Sequence, residues 1–468
     1  MGVGYALSFN VDSEPHTLVS LETSSAKPNI SFKLTIDRSL STTSHTTNDL
    51  PLSGVRVLEL GQVIAGPFCG QLLGHFGAEV IKIEPPGVGD PLRVWRELDI
   101  DGTSPWFRSL ARNKKSVTID LRKEEGRQLV KKLAVKCDVL LENFKPGTLE
   151  KWCLGPSSLH PENPSLIFTR VSGYGQTGPW SSRPGFASVC EAESGFRFIN
   201  GMPDPEHSGL SGPPIRPNIS LGDSVAGLHA AFGTVLALLS RQKVQKRGGG
   251  GGQTVDVSIM ESMLNLMEGI IPEYDRKGKV RGPSGSSVTG IVPTNAYPCL
   301  SPSSSSSPSS NAYIIIGANG DSLYQKLMNA IGRADLTGPL YQHNHHRVNQ
   351  QAKIEAAITE FTSRHTVDEV LEVLRGVGVP AGRVVNVKDI VEGEQVLARG
   401  AVEDVQVGTE ESGWKVKMPR VFPVLDGCNA QTRWAGPDLG QHTEEVLRGE
   451  LGLSTLELTT LRNNGVIG

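Results

Sequence analysis

The first half of the chain alternates short apolar runs with amphipathic stretches. Five runs have the length of strands: VRVLEL from Val55, AEVIKIE, SVTIDLR, DVLLEN and SLIFTRVSG, which ends at Gly173. A loop and a helical pattern, GQVIAGPFCGQLLGHFG, separate the first two runs, and the amphipathic KEEGRQLVKKLAVK precedes the fourth. Strands that alternate with helices form parallel βαβ units. The pattern therefore predicts an α/β fold with a large, doubly wound, Rossmann-like and mostly parallel sheet.

The longest helical pattern lies further along the chain, between Ile215 and Lys243. Apolar residues recur there with the i, i+3, i+4 spacing of a helix that buries one face. These residues are Val225, Leu228, Phe232, Val235, Leu236 and Leu239. Asp223 precedes them at the position expected for an N-cap, where a carboxylate accepts backbone N–H bonds and is favoured by the positive helix end.

Asp223 has a structural and a functional interpretation. Capping aspartates far outnumber catalytic ones, so a simple cap is the starting interpretation. A catalytic carboxylate would need open space, which the small residues Gly222, Ser224, Ala226 and Gly227 would provide. On that second hypothesis, Gly222→Val would reduce turnover more than folding.

Composition divides the chain into four parts. Residues 1–50 are rich in Ser and Thr, with five acidic against three basic residues. They fit neither a mitochondrial transit peptide nor a secretory signal well, so we interpret them as a disordered or targeting leader and leave localisation open between cytoplasm and mitochondrion. Residues 51–284 would form most of the large domain, and residues 285–395 a smaller α+β domain that contains the low-complexity SPSSSSSPSS. Residues 396–468 hold too few apolar residues for a core of their own and would return to the large domain.

Charge and cysteine content limit the classes of partner. The chain has 46 Lys and Arg against 49 Asp and Glu among 468 residues, which gives no argument for nucleic acid or an anionic membrane as a partner. No uninterrupted apolar run reaches the roughly eighteen residues of a membrane helix, so no membrane association is predicted. The six cysteines include no CxxC pair and no histidine at ligand spacing, so neither a metal site nor a disulfide framework is predicted.

Two glycine-rich segments resemble nucleotide motifs only superficially. Gly173, Gly175 and Gly178 match G-x-G-x-x-G directly after a predicted strand. Pro179 and SSRPG follow, however, where the dinucleotide fingerprint needs a helix. The run of five glycines after Arg247 lacks the Lys and Ser or Thr of a P-loop, so it predicts a flexible connection.

Taken together, the motifs of the chain resemble those of the class III CoA-transferases, the family that includes formyl-CoA transferase and carnitine CoA-transferase. The resemblance covers the chain from about Leu52 to its end. The segments that carry it are PLSGVRVLEL, IAGPFCGQLLGHFGAEVIKIEPPGVGDPLR, RNKKSVTIDLRKEEG, ENFKPGTLEK, VSGYGQTGP, SLGDSVAGLHAAFGTVLALL, GIVPTNAY, HHRVNQ and GVPAGRV. GYGQTGP and IVPTNAY are most similar to the succinyl-CoA:glutarate branch.

The resemblance implies an interlocked homodimer that moves CoA between carboxylic acids. It implies Asp223, in LGDS, as the nucleophile that passes through an aspartyl anhydride and an aspartyl-CoA thioester. The CoA contacts that it carries over are Gln62, Val63, Ile64, Ala65, Asn113, Arg122, Asn143, Phe144 and Lys151. Coenzyme A thioesters and carboxylic acids would be substrates, succinyl-CoA and a dicarboxylate such as glutarate among them. No tightly bound cofactor and no metal would be required.

One departure from the family pattern bears on the alternatives. Many relatives read GFD or GYD where this chain has Gly185, Phe186 and Ala187. The racemases of the same superfamily have a His-Asp pair here, whereas Phe186 cannot carry a proton and a two-base racemase needs a titratable group on each side of the α-carbon. An α-methylacyl-CoA racemase-type enzyme and a catalytically silent CoA-thioester-binding homologue are the alternative hypotheses.

Basic residues near the predicted strand ends have two interpretations. Arg112, Lys114 and Lys115 beside the third strand would suit a phosphate, but a solvated basic loop explains them equally well. For a dicarboxylate acceptor, a cation is expected at the remote carboxylate. Arg93, Arg108 and Arg112 are the candidates for that cation.

Overall fold

A six-stranded parallel sheet forms the centre of the structure, a computed structural model that describes residues 50–207, 209–301 and 312–468. Its strands are β1 (Arg56–Glu59), β2 (Glu79–Glu84), β3 (Lys114–Thr118), β4 (Val139–Glu142), β5 (Ile167–Ser172) and β6 (Thr254–Ser258). They lie in the order β3-β2-β1-β4-β5-β6, with every neighbouring pair parallel. The predicted doubly wound sheet is confirmed, and its strand order reverses between β1 and β4, where such sheets bind ligands. The predicted leader up to residue 49, and nearly all of SPSSSSSPSS, lie outside the described residues.

Helices cover both faces of this sheet. Those up to residue 277 are α1 (Ala65–His75), α2 (Pro105–Leu110), α3 (Glu124–Val135), α4 (Thr148–Lys151), α5 (Pro156–Leu159), α6 (Ala187–Glu193), α7 (Phe196–Ile199), α8 (Leu221–Gln245), α9 (Ile259–Asn265) and α10 (Ile270–Lys277). Helices α1 and α8 pack on one face through Cys69, Ala226 and Ala230. On the other face, α3 contributes Val130 and Leu133 to a second cluster. The strands are thus buried on both faces, which explains why their sequences are apolar runs.

A smaller antiparallel sheet follows, in the order β7-β8-β9. Its strands are β7 (Thr294–Cys299), β8 (Ala312–Gly317) and β9 (Ala381–Arg383). The helices around it are α11 (Asp321–Ala330), α12 (Asn344–Val348), α13 (Gln351–Thr362), α14 (Val367–Gly376), α15 (Val387–Glu392) and α16 (Glu394–Ala398). The helical pattern from Lys353 to Leu374 forms two helices, because Thr366 starts α14 with a capping box. This α+β part has its own apolar cluster, as the fold class predicted, while the exact domain boundaries stay a prediction.

The C-terminal part begins with a hairpin, β10 (Val402–Val407) and β11 (Trp414–Pro419), and ends with α17 (Thr443–Leu451) and α18 (Thr455–Asn463). Leu447 and Leu458 join the cluster that α3 forms on the central sheet. This segment therefore completes the second face of the sheet.

The predicted buried face of α8 is wrong for four of its six residues. Leu228, Phe232, Leu236 and Leu239 are 54%, 62%, 48% and 52% exposed. The small residues of the helix face the protein instead, as at Gly227, where a β-carbon would lie 2.7 Å from the backbone oxygen of the first residue of α1. Large and small residues share the same helical period here, and only the close approach of α8 to α1 decides which set is buried.

Helix α8 is also the one helix within the described residues that is long and apolar enough to cross a membrane. Counting uninterrupted apolar runs missed this property, because polar residues are dispersed along the helix. A core helix of a soluble protein meets the same criterion, and 44% of the apolar stretch is buried inside the protein. Length and composition alone therefore assign no membrane to α8.

Candidate active site

A cavity of about 230 Å³ opens at the carboxyl ends of the first four strands of the central sheet. It is lined by Leu60, Gln62, Ile83, Glu84, Pro85, Val88, Ile119, Asp120, Leu121, Arg122, Phe144 and Trp152. Three predicted CoA contacts, Gln62, Arg122 and Phe144, therefore meet in one place. The cavity lies at the β1–β4 switch point, where the fold predicts a ligand.

The cavity combines an apolar wall with an exposed cation. Phe144 and Trp152 pack edge to face with their ring centroids 5.3 Å apart. Arg122 has 83% of its side chain exposed, and Asp120 accepts a hydrogen bond of 2.9 Å from its Nε. Asp120 thus orients the guanidinium while leaving it open to an anionic ligand.

The loop that follows β1 is held from two sides. The Asn143 side chain accepts a hydrogen bond from the Gln62 backbone N–H and donates one to the Gln62 carbonyl, both at 2.8 Å. Val63 has a φ of 67°, which is costly for a β-branched residue. Both carboxylate oxygens of Asp90 lie 3.1 Å from the Val63 nitrogen and accept its N–H. The predicted residues Asn143 and Val63 therefore shape the loop rather than the wall of the cavity.

Asp90 belongs to a buried network of charges beneath that loop. Its Oδ2 lies 2.8 Å from Nζ of Lys82, which also contacts Glu59 at 3.1 Å. Glu59 in turn lies 2.8 Å from Nζ of Lys114, and all four side chains are at most 2% exposed. Burial alone would lower the pKa of Lys82, but Asp90 and Glu59 raise it above its ordinary value. Lys82 therefore stays charged, and the network anchors the loop as a rigid unit.

The remaining predicted CoA contacts do not line the cavity. Ile64 and Ala65 are 4% and 2% exposed where the loop enters α1. Asn113 is 2% exposed, and its side chain bonds to the backbone of Gln431 and Arg433 at 3.0 and 2.7 Å. Lys151 is exposed at the end of α4. Asn113 therefore anchors the C-terminal segment through its side-chain amide.

The three arginines proposed for a remote substrate carboxylate are buried and already paired. Arg93 contacts Glu84 at 2.8 Å. Arg108 donates to the Gly436 carbonyl at 2.6 Å, and Arg112 contacts Glu403 at 2.9 Å. That prediction is wrong, because these guanidinium groups are already occupied by partners within the protein. Each arginine also donates to a backbone carbonyl of the C-terminal part: Arg93 to Pro437, Arg108 to Gly436 and Arg112 to Pro419.

The glycine-rich segments have structural roles. After GYGQTG the chain continues in turns, and its next helix is α6, so no helix begins where a dinucleotide would need one. In the five-glycine run, a β-carbon at Gly250 would lie 2.5 Å from the Pro164 oxygen, and one at Gly252 would lie 2.6 Å from the Leu166 oxygen. The run is therefore close-packed against the start of β5 rather than a loose connection.

Asp223 lies in the first turn of α8 but does not cap it. The helix begins at Leu221, so Asp223 is its third residue, and the N-cap is Ser220. The expected cap is therefore wrong by three positions. Burial, and after it the negative charge of Glu191, raise the pKa of Asp223 to about 6, while Arg216 acts in the opposite direction. Near pH 7 most copies are ionised, and the carboxylate is more basic than an ordinary aspartate.

Packing brings Asp223 to the same end of the sheet as the loop after β1. Gly227 follows Asp223 by one helical turn and shares its helix face. A β-carbon at Gly227 would lie 2.7 Å from the Ala65 oxygen and 3.0 Å from Cβ of Phe68. The start of α8 therefore packs on the start of α1, where the loop of Gln62 and Val63 ends.

The small residue before Asp223 serves packing rather than substrate access. A β-carbon at Gly222 would lie 3.2 Å from Cγ2 of Ile259 and 3.3 Å from Cβ of Ala187. The space that the sequence hypothesis assigned to a substrate is therefore filled by α9 and α6. Ala187 is itself 4% exposed against this helix start.

Gly222→Val is consequently expected to lower the free energy of unfolding by about 2 kcal/mol, through overpacking against Ile259 and Ala187. Urea denaturation measures the change. Gly376→Val is the matched control, because Gly376 also lies in a helix but a β-carbon added there would meet no atom within 4 Å. A Gly222→Val protein of unchanged stability that has lost turnover would instead support the open-space hypothesis.

Sequence reasoning missed Asp90, Trp152 and Glu191. Asp90 lies within the motif PPGVGDPLR, and Trp152 directly follows ENFKPGTLEK, but the spacing of these residues does not reveal which groups they contact. Glu191 lies in α6, and the residues next to it in the sequence do not indicate that it lies near Asp223. The one sequence signal that could have directed attention to Glu191 is the presence of an acidic residue within an apolar stretch.

A sequence model of CoA-transferase family III matches residues 52–443. The chain belongs to this family. Its membership confirms the family resemblance and the enzyme class, a class III CoA-transferase that uses CoA thioesters.

Named relatives of this family III CoA-transferase match over most of their length. This chain is 43% identical over 418 residues to a succinyl-CoA–D-citramalate CoA-transferase of Chloroflexus aurantiacus, and the match covers 89% of this chain and 98% of that protein. It is 31% identical over 425 residues to the human succinyl-CoA:glutarate CoA-transferase, covering 91% of each. The crystal structure of a CaiB/BaiF family protein from Brucella suis matches with a TM-score of 0.71 at 30% identity, covering 86% of this chain and 99% of that one.

Proposed function

We propose that this enzyme transfers CoA from succinyl-CoA to a dicarboxylic acid through covalent intermediates on Asp223. The observation that carries the proposal is a partly buried carboxylate with a pKa raised to about 6, placed in the first turn of α8 beside the loop of Gln62. The names of the two relatives support the substrate class, since both pair succinyl-CoA with a dicarboxylate.

The proposed reaction proceeds in four steps with no external base. An Asp223 oxygen attacks the succinyl-CoA carbonyl, and CoA thiolate leaves, which produces a mixed anhydride. The thiolate attacks the aspartyl carbonyl and releases succinate, leaving an aspartyl-CoA thioester. The acceptor carboxylate then attacks this thioester and expels CoA thiolate, which produces a second mixed anhydride, and the thiolate attacks the acceptor carbonyl of that anhydride. The new thioester leaves with Asp223 restored, and no proton is gained or lost.

The cavity at the strand ends is proposed as the site for the distal part of CoA. Its Phe144 and Trp152 wall suits the flat adenine ring, and exposed Arg122 suits a phosphate. The reactive end of CoA would extend along the loop of Gln62 towards Asp223. Because the Asp90 network holds this loop rigid, binding would require little ordering of the chain.

Incubation of the protein with succinyl-CoA and single acceptors tests the function. Citramalate, malate and glutarate serve as test acids and formate and oxalate as comparison acids, with products identified by mass spectrometry. Hydroxylamine added during turnover should modify Asp223. Transfer only to formate or oxalate would refute the dicarboxylate proposal. CoA binding without exchange for any acid would favour the silent homologue, and solvent deuterium in an α-methylacyl-CoA would favour the racemase-type alternative.

Arg122→Ala is expected to raise the Kd for CoA about tenfold, since a charge-assisted hydrogen bond contributes about 1.5 kcal/mol. Isothermal titration calorimetry measures the change. Arg364→Ala is the matched control, because Arg364 is also exposed and paired with an acid, Glu360 at 2.8 Å. Equal affinities in the Arg122 and Arg364 variants would exclude Arg122 from the CoA site.

We also propose that a second copy of the chain covers the exposed apolar side of α8, formed by Leu228, Phe232, Leu236 and Leu239. A row of large apolar side chains of this size is typical of an interface. Sedimentation equilibrium distinguishes a dimer from a single chain of 50.2 kDa. A single-chain mass at micromolar concentration would contradict the homodimer.

A further inference from the structure

A buried carboxylate on a neighbouring helix holds the residue immediately before Asp223. Glu191, in α6, is 0% exposed, and its Oε1 accepts a hydrogen bond of 3.1 Å from the Gly222 backbone N–H. The first N–H groups of a helix have no partner within the helix, and the N-cap Ser220 provides no side-chain bond. Glu191 therefore supplies from α6 the acceptor that α8 lacks at its start.

Arg197 pairs with this carboxylate. Its Nε and Nη2 both donate to Oε2 of Glu191, at 2.8 and 2.5 Å, which leaves Oε1 for Gly222. A buried carboxylate is stabilised by a cation that donates hydrogen bonds to it. The negative charge of Glu191 is thus built into the site, on the side of α8 that faces α6.

We infer that Glu191, held by Arg197, is a positioning residue that fixes the direction of Asp223 and makes its attack easier. The inference rests on the proposed function. Asp223 and Glu191 repel each other as long as both are ionised. In the anhydride and in the aspartyl-CoA thioester, Asp223 is neutral, so each covalent intermediate relieves that repulsion. Glu191 therefore favours the covalent states over the free nucleophile without touching the substrate.

The other charged groups around Asp223 leave Glu191 as its main negative neighbour. Arg216, in the segment before α8, acts in the opposite direction. The pKa of the nearby Cys190 thiol is raised to about 11 by burial, so it is uncharged near pH 7. Of the other helices packed on α8, α9 carries one charged residue, Glu261, which is exposed, and α1 has only His75, at its far end.

Glu191→Gln tests the inference because it keeps an acceptor for the Gly222 N–H but removes the charge. The acid limb of the pH dependence of kcat/KM should move to lower pH by about one unit, and kcat at pH 8 should fall about three- to tenfold. Titration of the Asp223 carboxyl by ¹³C NMR, without substrate, should show the same downward shift. Glu193→Gln is the matched control, since Glu193 is an exposed acid two residues along the same helix.

Arg197→Met provides a second variant, because it removes the two hydrogen bonds that hold the Glu191 carboxylate towards Gly222. Circular dichroism checks that both variants are folded. An acid limb and an NMR titration unchanged from wild type, in whichever variant folds, would overturn the inference. A shifted titration in a protein that transfers CoA to no acceptor would refute the proposed function and leave the effect of Glu191 on Asp223 standing.

Discussion

Asp223→Asn is expected to reduce CoA transfer by at least about 10³-fold while the protein stays folded. The amide keeps the shape of the side chain but cannot form the anhydride, so the covalent route is lost. Steady-state kinetics with succinyl-CoA measures the loss. Asp275→Asn, at an exposed position of α10, is the matched control and should retain full activity. Transfer at the wild-type rate by Asp223→Asn would exclude this residue as the nucleophile.

The wild-type rate should follow the ionisation of Asp223. Its pKa is raised to about 6, so kcat/KM should fall tenfold per pH unit below about pH 6 and be level above it. The Asp275→Asn control should show the same limb. A limb near pH 4, the range of an ordinary aspartate, would contradict the buried environment seen here.

Asp223→Asn should also stabilise the fold at alkaline pH. The folded state binds the Asp223 proton more tightly than the unfolded state, because burial raises its pKa from 3.8 to about 6. Its favourable contribution is complete below pH 3.8 and is lost as pH rises through 6. At pH 8, Asp223→Asn should therefore raise the free energy of unfolding by about 1 to 3 kcal/mol. Urea denaturation at pH 8 and pH 4 measures it, and an equal gain at both values would refute this origin.

Asp90→Ala is expected to lower the free energy of unfolding by about 3 to 5 kcal/mol. The substitution leaves Lys82 buried with only one of its two carboxylate partners, Glu59. Removing one side of a buried ion pair has a cost of that size. It also removes the acceptor that holds Val63 at a positive φ. The loop after β1 should relax, so the Kd for CoA should rise about tenfold or more as well.

Glu97→Ala is the matched control for Asp90→Ala. It removes the same charge from an exposed side chain seven residues away in the sequence, so its effect should stay within about 0.5 kcal/mol. Chemical denaturation and calorimetric titration with CoA compare the two variants. A loss below about 1 kcal/mol in Asp90→Ala would show that Glu59 alone satisfies Lys82.

The sequence predicted more of the fold than of the site's contacts. The strands of the central sheet begin and end within a few residues of their predicted positions, because alternation and apolar runs report local burial. The family motifs led to Gln62, Arg122 and Phe144, which the fold brings to one cavity. The motifs could not reveal that Asn113, in the same set, is engaged with residues more than 300 positions away.

The largest errors concern groups whose partners are distant in the chain. Arg112 appeared free for a substrate, but Glu403, 291 residues later, pairs with it. The large apolar residues of α8 appeared buried, yet its small residues lie against α1. In both cases the sequence shows the chemical type of the side chain, whereas its surroundings come from segments that no local pattern connects to it.

The sequence by itself determined the parallel α/β sheet, the family and the acid in LGDS, since these depend on side-chain spacing and on motifs within short segments. Only the tertiary structure decided that Asp223 lies inside the first turn of α8 and is not its cap. It also decided that Glu191, paired with Arg197, accepts a hydrogen bond from the residue before Asp223, and that Asp90 holds the loop of Val63. The physical reason is that burial and the nearest charges set the pKa and direction of a carboxylate, and both are properties of packing between distant segments.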